Sequence, residues 1–109
     1  MQEQLDRKIR EEFKDDIYDS HEIFFRSDAV LKFIDWCDEN DISIIGIEGF
    51  EVKEHSITPR LDMIADFSES LGRNDDWNLL REKLNQSARN FFVDSDIHGL
   101  VFNFVVRQK

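Results

Sequence analysis

Several groups of residues have types and spacings that chemistry could use. Asp62 and Asp66 suggest a pair of catalytic carboxylates. On one strand face they would stand about 13 Å apart, too far to share a proton or to flank a glycosidic bond. In a helix they would lie one turn apart, and that exclusion would weaken. Asp94, Asp96 and His98 alternate ahead of the last apolar segment and supply oxygen and nitrogen donors. They lack the further oxygen ligands of a calcium loop, and His21, His55 and His98 fall in no zinc-type spacing with Cys37. A solvated turn is the simpler reading. Cys37 sits on an apolar stripe, which predicts an inert buried thiol, and no Ser-His-Asp or Cys-His set can be placed. Gly46 and Gly49 precede no Lys-Ser or Lys-Thr at a helix start, so they are structural glycines. Asn85-Gln86-Ser87 matches a glycosylation triplet inside a helix, and we discard it. These readings predict no enzyme, no cofactor and no metal.

The acid distribution is the remaining signal. Asp35, Asp38, Glu39 and Asp41 crowd the end of one helix, Glu48, Glu51 and Glu54 follow on a strand, and Asp62 and Asp66 lie on the strand expected to pair with it. A solvated skin would explain them. Carboxylates at the negative end of a helix dipole are unfavourable, however, which points to a surface that faces a cation. Trp36 flanks the cluster and supplies the kind of aromatic anchor that interfaces favour. The expected partner-binding set is therefore Asp35, Trp36, Asp38, Glu39, Glu48, Glu51, Asp62 and Asp66.

The elements that must position these residues follow from periodicity. Leu5, Ile9, Phe13 and Ile17 recur at i+4 and predict a helix from about residue 3 to 18. After a break at Asp19-Ser20-His21-Glu22, Ser27 is placed to cap a helix carrying Val30, Phe33, Ile34 and Cys37, which Asn40 can end in a left-handed conformation. Ile42 to Val52 is rich in β-branched residues and predicts a strand. A bulge near Gly49 would bring Ile45, Ile47, Phe50 and Val52 to one face. Leu61 to Ser68 fits a strand better than a helix, with Leu61, Met63, Ala65 and Phe67 inward, and pairs antiparallel through a loop at His55 to Pro59. Leu71 to Asp76 is turn chemistry, with Asp75 or Asp76 as cap for a helix carrying Trp77, Leu80, Leu84, Ala88 and Phe91. Leu100 to Val106 alternates as a final strand, with Leu100, Phe102, Phe104 and Val106 buried.

The predicted order is ααββαβ: an α+β domain with an approximately three-stranded, mainly antiparallel sheet and two to three packed helices. Val101, Val105 and Ile64 would lie on the opposite sheet face and need cover, from the first helix or from another molecule.

The chain has 109 residues, with 24 Asp and Glu against 14 Lys and Arg and a net charge of -10. This predicts one domain over residues 1–109, since a chain of this length supports a single core. A hydrophobic share of 40% with ten Phe exceeds that of a disordered acidic tail. The lone cysteine excludes an internal disulfide, and the charged opening, Met1-Gln2-Glu3-Gln4-Leu5-Asp6-Arg7-Lys8, is unlike a signal peptide, so the cytoplasm is expected. No apolar run approaches the roughly 20 residues of a membrane span, and the acidic balance disfavours nucleic acid as a direct ligand.

Ile45-Gly46-Ile47-Glu48-Gly49-Phe50 and Met63-Ile64-Ala65-Asp66-Phe67-Ser68, followed by a Trp77-headed helix and a Phe-rich last strand, resemble small acidic bacterial proteins of the toxin-immunity type. The resemblance covers the middle and end of the chain and carries over no inhibitory residue. It implies a cytoplasmic protein that binds and blocks one toxin. Independently, carboxylates can occupy the places of substrate phosphates on a basic nuclease and steer association. The expected function is a protein-binding inhibitor of a basic toxin. The alternative is a small homo-oligomeric structural or regulatory protein, for instance a homodimer, that buries Ile64, Val101 and Val105 on itself.

Overall fold

Leu5 and Ile9 place one apolar side chain per turn on the first helix, α1 (Gln2–Glu12), Phe13 follows one turn on, just past its end, and all three are buried. The computed structural model describes residues 2–18, 22–70 and 76–108. The expected breaks at Asp19-Ser20-His21 and at Leu71 to Asp75 lie outside the described residues. The helix is shorter than its periodicity predicts, because Ile17 and Tyr18 leave it to form a two-residue strand, β1 (Ile17–Tyr18). β1 pairs with β2 (Phe24–Arg26), a second short strand that the sequence reading missed. Two and three residues are too few to display an alternation.

A 3-10 turn at Ser27–Ala29 leads into α2 (Val30–Glu39), whose Val30, Phe33, Ile34 and Cys37 are buried as their i, i+3, i+4, i+7 spacing requires. Ser27 does not cap α2; its N-cap is Ala29, with no side-chain hydrogen bond. Asn40 ends the helix at φ -107°, and Asp41 takes the left-handed conformation at φ +61°. The chain then runs through β3 (Ile42–Lys53), a tight turn at Glu54-His55, and β4 (Ser56–Asp66). β4 begins before the expected loop ends, because Pro59 sits on an edge strand, where its missing N–H costs no ladder bond. Asp76 caps α3 (Trp77–Val93) by accepting from Asn78 N at 2.8 Å, and β5 (Leu100–Gln108) closes the fold.

The sheet therefore has five strands in the order β1-β2-β5-β3-β4, with every neighbouring pair antiparallel. The α+β class stands, while the three-stranded sheet and the order ααββαβ are corrected by β1 and β2. All three helices pack on one face, where Leu5, Ile9 and Phe13 join Phe33, Ile34, Ala88 and Phe92 against Ile44, Ile47, Met63 and Phe102. On the other face Phe24, Phe50 and Val101 form a separate small cluster with Tyr18, Val52 and Ile57. α1 thus belongs to the helical face and leaves the second face without a helix among the described residues.

Two irregularities tune β3. Ile45 is the extra residue between the pairs Ile44 with Val106 and Gly46 with Val105. Against β4 the register jumps between Glu48 and Gly49, and the surplus residues 61–63 lie on β4. The bulge expected to unite four β3 side chains is thus on the neighbouring strand, and Phe50 and Val52 stay opposite Ile47. Leu61, expected to point inward, protrudes at 84% exposure, while Met63 is buried and Ala65 and Phe67 pack on the core. Gly49 accommodates this bulge: a Cβ there would stand 2.7 Å from Met63 Cβ.

Candidate functional site

The acids at the end of α2 face cations of the same chain. Arg81, Asn85 and Arg89 recur at i, i+4, i+8 on α3 and form a polar stripe against α2. Arg81 donates through Nη1 to Asp38 O at 2.8 Å and to Asp38 Oδ1 at 3.1 Å, and its Nε lies 3.3 Å from Asp41 Oδ1. Trp77 Nε1 donates to the same Asp41 oxygen at 2.8 Å. Arg89 bridges Asp35 Oδ1, at 2.9 Å, and Asp38 Oδ2. Partial burial pulls the Arg89 pKa down, but the hydrogen bonds to Asp38 and Asp35 outweigh it and hold the guanidinium above its usual range. The unfavourable charge at the helix end is thereby offset within the fold. Asp35 and Asp38 hold α3 against α2, and of the expected α2 set Glu39 is left exposed with no salt bridge among the described residues.

Trp36 is half-buried in the seam between α1 and α2. Its ring stacks on Phe33 at 6.0 Å and meets Phe13 edge-on at 5.6 Å. It packs as a helix-seam tryptophan. Cys37 is fully buried, and burial pushes its thiol pKa up, away from thiolate chemistry.

Glu51 and Asp62 gather on Arg60 along the β3–β4 hairpin. Arg60 donates from Nε and Nη2 to the two Asp62 oxygens at 2.9 and 2.8 Å, and from Nη1 to Glu51 Oε1 at 2.9 Å. This bidentate clamp holds the Asp62 carboxyl below the usual carboxylate range. Hydrogen bonding from Ser68 likewise depresses Asp66. Asp62 belongs to the bulge and Asp66 to the regular ladder, so they are partnered separately and not as a pair. Asp96 accepts from His98 N at 3.3 Å in a turn, and among the described residues no three His, Cys, Asp or Glu side chains gather as metal ligands.

Glu48 and Asp66 lie on the helix-free face of the sheet. The ladder sets Asp66 and Val105 on either side of Gly46, Ile64 and Asn103 on either side of Glu48, and Pro59 and Val101 on either side of Phe50. Ile64 and Val105 are 45% and 49% exposed, and Glu48 is exposed with no salt bridge among the described residues. Gly46 leaves a notch between Asp66 and Val105, whose Cβ would stand 3.3 Å from a Cβ at that position. Arg26, paired with Val101, and Arg107, paired with Ser43, lie at the two ends of β5. The expected site residues thus divide into an intramolecular set, Asp35, Trp36, Asp38, Glu51 and Asp62, and an outward set, Glu39, Glu48 and Asp66.

Among the described residues no helix is long and apolar enough to cross a membrane. Comparison with protein-family models, with characterised proteins and with solved structures finds no match.

Proposed function

We propose that this chain is a non-enzymatic, cytoplasmic inhibitor of the immunity type, which neutralises a basic bacterial toxin by binding it on the helix-free face of the sheet. The observation that carries this reading is the row of Glu48, Asp66, Ile64 and Val105. Two carboxylates that make no salt bridge among the described residues stand beside half-exposed apolar side chains on a face that carries no helix among those residues. Apolar surface of this kind marks an interaction site, and unpaired charge upon it favours a partner of opposite sign. The net charge of -10 adds long-range attraction for a basic protein.

The test uses the product of the reading frame beside this one as the candidate toxin. Its association rate should fall as salt rises, because the Debye length shrinks from about 10 Å at 0.1 M to about 3 Å at 1 M. A rate indifferent to salt would count against a charge-steered inhibitor.

Arg26 and Arg107 support a second reading, in which another copy of the chain sets its arginines against Glu48 and Asp66. The repulsion between two chains of charge -10 opposes it. Sedimentation equilibrium separates the two: a monomer fits the inhibitor reading, and a dimer lost on Val105→Asp fits self-association.

A further inference from the structure

Between α1 and the rim of β5 lies a cavity of about 220 Å³. Pockets for small molecules and cofactors typically measure about 300–1,000 Å³, so this one suits a single long side chain. Ile23, Phe104 and Val106 wall it over a floor of Phe25 and Phe33, and its polar lining comes from Asp6, Glu22 and Asn103. Neither carboxylate makes a salt bridge among the described residues. Asn103 directs its amide nitrogen to Ile23 O at 3.1 Å, and among the described residues no donor occupies its Oδ1. Among the described residues the lining therefore offers two carboxylates, an amide oxygen and no Lys or Arg. Three other clefts contain their own cations: Lys53 at the hairpin turn, Arg7, Arg10 and Lys14 along α1, and Lys32 beside Trp36.

We infer that this cavity receives the side chain of one arginine from the protein partner, its methylenes against Ile23, Phe104 and Val106 and its guanidinium toward Asp6 and Glu22. The planar fork of arginine can donate to both carboxylates at once, which the point charge of a lysine does less well. The inference rests on the proposal of a basic partner and names its anchor. The cavity opens on the helical side of β5, but Asn103, which pairs with Glu48 on the helix-free face, lines it at the strand edge that β2 leaves open beyond Phe102, so a partner on the acidic row reaches the cavity around that edge.

Acetyl-arginine methylamide is the probe, followed by NMR on the labelled protein, with acetyl-citrulline methylamide as its neutral isostere. The arginine amide should shift the Ile23, Asn103 and Phe104 signals saturably, and the citrulline amide should bind at least about ten-fold more weakly. Asp6→Asn combined with Glu22→Gln should weaken the arginine amide about ten-fold without changing the melting temperature. Val106→Phe, which narrows the cavity and leaves its charge, should weaken it as well. Equal binding of the two amides, shifts centred on another face, or wild-type affinity in the double carboxyl variant would each overturn the inference. With the toxin itself, the double variant should dissociate about ten-fold faster. If it loses the probe and keeps the toxin, the cavity is not the anchor, although the basic-partner reading survives. Loss of salt-dependent association would instead sink that reading, while the probe titration still decides the cavity.

Discussion

Asn85 accepts a hydrogen bond from Ile44 N–H at 2.8 Å and donates one to Ile42 C=O at 3.0 Å, in place of a neighbouring strand. β4 ends at Asp66, opposite Gly46, so among the described residues the first residues of β3 have no strand on that side. The Asn85 amide, fully buried on α3, supplies the missing donor and acceptor, and its Nδ2 also reaches Asp38 Oδ1 at 2.7 Å. One side chain thereby joins α2 and α3 to β3.

Asn85→Leu should cost about 2–4 kcal/mol, because a buried N–H and a buried C=O would lose their partners together. Urea unfolding should show a lower midpoint at an unchanged slope. A change within about 0.5 kcal/mol would mean that water replaces the amide.

The helical core was legible in the sequence because its periodicities are long: the α2 stripe and the Asp76 cap appear in the fold, and Leu100 and Phe102 are buried as the alternation of β5 predicts. Phe104 and Val106 are only half-buried, and Val101 is buried in the second cluster. β1 and β2 were not, since pairs and triplets of residues have no period. The polar seam was missed for a different reason. Arg81, Asn85 and Arg89 are each ordinary on a helix surface, and only the approach of α2 gives their i, i+4, i+8 stripe a purpose. Without that stripe in view, the α2 carboxylates show no partner within the chain and read as a surface for another molecule.

Phe102 has no exposed surface and meets Phe92 edge-on at 4.9 Å, so Phe102→Ala should destabilise by about 3–5 kcal/mol. Leu61→Ala, at the exposed bulge, should stay within about 0.5 kcal/mol. Chemical denaturation of both variants checks the contrast, and equal losses would contradict the bulge.

At Gly49 a methyl group would meet Met63 Cβ at 2.7 Å and Phe102 Cε1 at 3.0 Å. Gly49→Ala should therefore cost about 1–3 kcal/mol through overpacking. Gly46→Ala, whose nearest contact is Val105 Cβ at 3.3 Å, should cost less. Melting temperatures order the two, and the reverse order would refute the assignment of the close approach.

Asp62 titrates below its ordinary value because Arg60 clamps both oxygens. A depressed carboxyl contributes its stabilisation fully above the unfolded value of about 3.9 and loses it as pH falls through the folded value. NMR titration should place the Asp62 midpoint under about 3.9, and Arg60→Ala should return it to the ordinary range. An unchanged midpoint in the variant would show that the clamp is not the cause.

The central claim, that a basic protein binds the helix-free sheet face, is tested most directly by matched charge reversals read as dissociation constants for the candidate toxin. Glu48→Lys should weaken binding at least about ten-fold, whereas Glu39→Lys, an equal change of charge on α2, should shift it only by the small amount expected from altered steering. Both positions are exposed, so both variants should fold. Unchanged affinity at Glu48 with a large loss at Glu39 would contradict the account and move the interface to α2.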